Sequence, residues 1–160
     1  LVAYFGYRLQ KRAPVKERIY PQLERMLRIV RQIAWNSAEA KDFWNRANEY
    51  HKALSVERQV KPLNQSFVWG LLCVVSISSM QRLIDNSNEY ELAFLELEKS
   101  GIIERVRLYD LDLASELFWI HEEAQKILEL RSYPISSSFK RIIENISEHA
   151  KNCLERLERF

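Results

Sequence analysis

The stretch that decides the fold class is Phe139-Lys-Arg-Ile-Ile-Glu-Asn-Ile-Ser-Glu-His-Ala-Lys-Asn-Cys153-Leu-Glu-Arg-Leu-Glu-Arg-Phe160. Its apolar residues fall into two rows, Phe139, Ile146, Cys153, Phe160 and Ile143, Ala150, Leu157. Each row repeats every seven residues, and the rows lie three and four apart. That spacing gathers the apolar side chains on one stripe of a helix and leaves the charges opposite. Ser136, Ser137 and Ser138 precede it and offer hydroxyls to cap its first turn.

Working back from this helix, the same period recurs. Asp110 or Asp112 is placed to cap a helix running to about Arg131, with Leu113, Leu117, Ile120, Ala124 and Ile127 on one face. Tyr133-Pro134 ends it, because a residue before proline leaves the α region. Ile102 to Tyr109 has no second strand to pair with and reads as a short helix or connector. Gly101 suits a left-handed stop for the helix before it. That helix is expected to start at a cap on Ser87 or Asn88, after a turn at Asp85-Asn86-Ser87-Asn88.

Pro62-Leu63-Asn64-Gln65-Ser66 opens an apolar run from Phe67 to Met80, and no charge occurs between Lys61 and Arg82. Fourteen residues fall short of the roughly 20 that span a bilayer. The run therefore reads as a central helix, with Val68, Leu71, Leu72, Val75 and Ile77 packed on nearly all sides. The alternative is a subunit whose segment 63–81 enters the membrane. A further helix is expected over 21–58, its stripe carried by Leu23, Val30, Ser37, Trp44, His51 and by Met26, Ile33, Ala40, Ala47, Leu54. Asn36 with Glu39 has the spacing of a capping box and predicts an interruption there. Pro14 and Pro21 are expected to break the segment before it. The sum is an all-α fold, one domain built as a bundle of five or six helices around one almost wholly apolar helix. Its parts are a basic segment, 1–20, and a bundle domain, 21–160.

Composition supports a globular chain: 160 residues, 47% apolar and 29% charged, with a net charge of +2. The only glycines are Gly6, Gly70 and Gly101. They are too far apart for a dinucleotide-binding loop, a Walker loop or a nucleophile elbow. Cys73 and Cys153 have no metal-type spacing and read as two reduced, packed thiols, with a disulfide between them as the alternative.

Charge is unevenly spread. Residues 1–31 hold eight Lys/Arg against Glu17 and Glu24, a net +6, and the other 129 residues carry −4. The chain opens on Leu1-Val-Ala-Tyr-Phe-Gly-Tyr7 and then meets Arg8, Lys11, Arg12, Lys16 and Arg18. Apolar residues, interfacial tyrosines and then a basic cluster describe the cytosolic end of a transmembrane helix. The expectation is a chain that begins inside a longer protein, at the cytoplasmic face of a membrane. Arg25, Arg28 and Arg31 continue the basic face at a spacing of three and are expected to meet lipid phosphates. Nucleic acid is a poorer fit, since stacking aromatics are not interleaved through the ridge.

Motifs for catalysis are sparse. His121-Glu-Glu-Ala-Gln125 puts an amide where a zinc protease needs its second imidazole, so it reads as a solvated helix face. No Glu stands three residues before any histidine, which removes the di-iron bundle pattern. No cofactor or metal is expected. Arg46-Ala-Asn-Glu-Tyr-His51 resembles the R-x(4–6)-H signature of the HEPN class of helical-bundle ribonucleases. The resemblance covers six residues and departs from the family in having Ala47 directly after the arginine. It implies Arg46 as a phosphate-stabilising residue and His51 as a general acid or base. The competing reading of His51 is a structural histidine in the apolar row after Trp44.

Trp35, Trp44, Trp69 and Trp119 all occupy helical positions and read mostly as core. Trp119 lies one residue off the Leu117/Ile120 face, at an edge that another chain, or a second copy, is expected to cover. The preferred functional reading is a non-catalytic domain at an anionic membrane surface, acting as a protein-interaction, regulatory or assembly module.

Overall fold

The computed structural model describes the backbone of residues 2–56, 62–130 and 137–159, with the side chains of 17, 19–42, 45, 46, 49, 78–130, 138 and 140–159. Among the described residues there are five helices and no strand: α1 Val2–Val56, α2 Pro62–Lys99, α3 Ile102–Tyr109, α4 Leu111–Glu129 and α5 Ser137–Arg159. α1 and α2 run antiparallel. Arg25 meets Glu96 at 2.9 Å, Asn36 meets Asn86 at 2.6 Å, and Glu39 meets Arg82 at 3.1 Å. α5 packs on α1 and α4, while α4 and the short α3 close over α2.

The apolar stripes read from the sequence are the core. Leu23, Met26, Val30, Ile33 and Ala40 of α1 are buried, as are Leu113, Leu117, Ile120, Ala124 and Ile127 of α4. Ile143, Ile146, Ala150, Cys153 and Leu157 bring in α5, and Leu83, Tyr90, Phe94 and Leu97 bring in α2. Phe139, Phe160, Trp44, Ala47 and Leu54 of the same rows lie outside the described side chains, as do Val68, Leu71, Leu72, Val75 and Ile77. At the end of the apolar run, Ser79 and Met80 are buried.

Two expected breaks are absent. Asp85-Asn86-Ser87-Asn88 is not a turn: α2 passes straight through it. Asn86 instead lies between α1 side chains, accepting from Asn36 Nδ2 and donating to Gln32 Oε1 at 3.0 Å. Ser87 is buried and bonds back to the Leu83 carbonyl at 2.7 Å. Asn36 does not interrupt α1 either, because the same bridge, together with the Glu39–Arg82 pair, engages both members of the supposed capping box. Helix-breaking polar groups are tolerated where tertiary hydrogen bonds satisfy them.

α1 also runs through Pro14 and Pro21, although each removes a helical hydrogen bond. On either side of Pro21 the helix is held by burial of Ile19, Leu23 and Met26. Residues 2–20 are therefore continuous with the bundle's first helix at the level of the backbone.

The shorter connections follow local rules. Gly101, at φ 71°, takes the left-handed turn between α2 and α3. Asp110 has extended backbone and accepts the Leu113 N–H at 2.9 Å, so it is the cap of α4. Its carboxylate also faces Arg156 of α5 at 3.5 Å. Asp110→Ala is expected to cost about 0.5–2 kcal/mol, read as a lower urea midpoint at unchanged slope. A shift of under a tenth of a kcal/mol would mean that the cap contributes nothing.

Candidate functional site

On the face of α1 opposite its buried stripe, Arg25, Arg28 and Arg31 are all exposed, as are Tyr20 before them and Trp35 after them. Arg25 holds Glu96 of α2 at 2.9 Å, and Arg31 lies 3.9 Å from Glu158 of α5. Arg28, between them, meets no carboxylate among the described residues. A hollow of about 640 Å³ runs beside Tyr20, Pro21, Glu24, Arg25, Arg28 and Arg31. Trp35 is 74% exposed, so the expectation that it belongs to the core is corrected. It falls between Ile33 and Ser37, on the far side of the helix from both. Arg8, Lys11, Arg12, Lys16 and Arg18 are carried on the same α1 backbone, and their side chains lie outside the described residues.

A second cluster surrounds Trp119, which is 47% exposed. Its ring stacks on His149 of α5 at 5.9 Å between centroids and meets Phe118 edge-on at 6.0 Å. His149 Nδ1 lies 2.7 Å from Glu116 Oε2, and Asn152 donates to the other carboxylate oxygen at 3.4 Å. Glu116 thus holds the imidazole edge while Trp119 covers its face. Leu108, Leu111 and Phe118 are exposed on the neighbouring part of α3 and α4. A groove of about 400 Å³ opens beside them, between Phe94 and Glu98 of α2, Ile103 and Glu104 of α3, and Phe118 and Trp119 of α4.

His121 and Glu123 are not on a solvated face. His121 is buried and stacks on Phe94 at 4.4 Å, nearly parallel at 14°. Glu123 is buried with one carboxylate oxygen held by Lys126 Nζ at 2.8 Å. The charge-rich run misleads because α2 and α5 pack on either side of α4, so few of its positions are left outside. His121 Nδ1 and Glu123 Oε2 have no hydrogen-bond partner among the described residues. No signal in the sequence marks either as buried.

Buried polar hydrogens complete the interior. The Tyr90 hydroxyl donates to the Leu117 carbonyl at 2.7 Å, and burial pushes it well above the ordinary phenol range. Cys153 is a free, wholly buried thiol. Burial raises it far above the ordinary thiol range, with a smaller push from the Glu116 carboxylate.

Arg46 is exposed and holds Asp42, one turn earlier, at 2.9 Å. His51 and Cys73 lie outside the described side chains. Among the described residues no His, Cys, Asp and Glu side chains group in a way that could hold a metal ion, and no helix is long and apolar enough to cross a membrane. Compared with the models of known families, with curated proteins and with solved structures, the chain matches none.

Proposed function

We propose that this chain is a non-catalytic helical interaction module held at the cytoplasmic face of a membrane by the outward face of α1. The observation that carries the reading is the Tyr20–Trp35 ridge, with Arg25, Arg28 and Arg31 exposed between two exposed aromatics. Aromatic rings settle at the headgroup level, and each nearby Lys or Arg adds about 1 kcal/mol of attraction to an anionic leaflet. The hollow beside the ridge is lined by three guanidinium groups against Glu24, a setting suited to phosphate. Continuity of α1 from Val2 joins the cluster of Arg8, Lys11, Arg12, Lys16 and Arg18 to this ridge along one rod. In the same reading the apolar run 67–80 is the bundle's central helix, covered by protein, and the Trp119 face takes a protein partner.

The test is vesicle co-sedimentation of the 1–160 chain. Vesicles rich in anionic lipid should retain it at low salt and release it toward physiological ionic strength, where screening acts over about 8 Å. Vesicles of neutral lipid should not retain it. Reversing Arg8, Lys11, Arg12, Lys16 and Arg18 to Glu should abolish binding with the helical spectrum intact. Arg28→Glu alone should weaken it several-fold. Absence of binding at low salt would overturn the membrane reading, and salt-independent binding would assign it to an apolar insertion instead.

A further inference from the structure

We infer that the groove between α2, α3 and α4 receives the aromatic and basic N-terminal segment of a second copy of this chain, giving a reciprocal dimer. The groove is apolar at its centre, where Phe94 forms the floor and Ile103, Phe118 and Trp119 form the walls. Its rim carries exposed Glu98 and Glu104 with Arg107, which lies 3.7 Å from Glu104, so Glu98 is the rim carboxylate left without a basic partner among the described residues. Its surroundings are acidic. Residues 85–129 carry twelve Asp/Glu against four Lys/Arg, a net −8. The chain itself holds the complementary piece: Tyr4, Phe5 and Tyr7 to fill an apolar groove, followed at once by Arg8, Lys11 and Arg12 to meet the rim.

Position favours a second copy. Because α1 and α2 are antiparallel, with Arg25 against Glu96, the start of α1 and the Glu98–Glu104 groove belong to the same end of the hairpin. Arg25 already lies opposite Glu96, three residues before the end of α2, and the seventeen helical residues 2–18 at the start of α1 amount to roughly 25 Å of rod. The segment runs along the α1 axis and cannot double back into its own groove without breaking that helix. Two copies set end to end can each offer the segment to the other's groove. That arrangement is isologous and closes as a pair, so it does not propagate as a fibre. Charge complementarity sets partner choice and register, while the aromatic anchors supply the affinity.

The inference deepens the module reading at the Trp119 face and does not depend on the lipid contact. Sedimentation equilibrium of the 1–160 chain at low salt tests it. The expected result is a monomer–dimer equilibrium that weakens as salt rises. Glu98→Lys with Glu104→Lys should raise the dimer Kd about tenfold or more, and Arg8→Glu with Lys11→Glu and Arg12→Glu should do the same. Trp119→Ala should raise it at least about tenfold at any salt. Mixing the two charge-reversed variants should restore a dimer, since each then meets opposite charge at both contacts. The acidic-rim variant should still bind anionic vesicles, which separates failure here from failure of the membrane reading. A chain that stays monomeric up to about 1 mM, or a dimer indifferent to the rim and to Trp119, would overturn the inference. Failure of the mixed variants to pair would do so too.

Discussion

Phe94→Ala is expected to lower the free energy of unfolding by about 3–5 kcal/mol, among the largest single losses the bundle can show. Phe94 is buried where α2 meets α4, with the rings of Tyr90 and His121 stacked at 6.2 and 4.4 Å between centroids. Truncation removes the transfer energy of the ring and leaves a cavity that rigid helices only partly fill. It also removes the ring stacked on His121, whose Nδ1 already lacks a partner among the described residues, so a polar group is left against a void. Phe94→Leu keeps most of the volume and should cost less than half as much. Urea unfolding followed by helical circular dichroism measures both. Loss of under about 1 kcal/mol in the alanine variant would mean that Phe94 is not a core residue.

The second large effect is alkaline. Cys153 and Tyr90 are both wholly buried, and burial holds both protonated above their ordinary ranges. In the unfolded chain the thiol ionises near pH 8.5 and the phenol near pH 10. Above those values the unfolded state has lost protons that the folded state keeps, so stability must fall as pH rises. The stabilisation is fully present below about pH 8.5. The thiol then removes about 1.4 kcal/mol per pH unit, roughly 2 kcal/mol by pH 10, and the phenol adds to the loss above that. The contribution of Cys153 is isolated by comparing the pH dependence of wild type with that of Cys153→Ala. The gap between the two should narrow by about 2 kcal/mol from pH 8.5 to 10. Alkylation should agree: mass mapping should find Cys153 unmodified by iodoacetamide until the chain unfolds. A gap that does not change with pH, or rapid labelling of Cys153 in the folded protein, would contradict its burial.

Much of the core was legible because a packed helix must show its buried face as a period in the chain. Leu113 to Ile127 and Ile143 to Leu157 are the stripes the period picks out. Gly101 and Asp110 were legible for a different reason, since a left-handed stop and an N-cap are solved within a few residues of backbone. The candidate surface was legible only in part. The spacing of Arg25, Arg28 and Arg31 places them on one outward face, and their exposure agrees with it. Trp119 stands half-exposed at the edge that its offset from Leu117 and Ile120 suggested. Its stacking on His149, and the hold of Glu116 on that ring, join residues thirty or more positions apart, and no local pattern encodes such a meeting.

The sequence by itself determined where helical stripes lie, where α2 stops, where α4 begins and how charge divides along the chain. These are properties of neighbouring residues, settled by period, backbone freedom and capping. Only the tertiary structure decided that Asp85-Asn86-Ser87-Asn88 and Asn36 stay inside long helices, that His121 and Glu123 are buried, and that Trp35 is not. In isolation an asparagine or serine favours the break, because its side chain competes for the backbone. Once α1 and α2 lie side by side, Asn36, Asn86 and Gln32 satisfy one another across the interface. That removes the reason to break the helix, and it exists only after two distant segments have met.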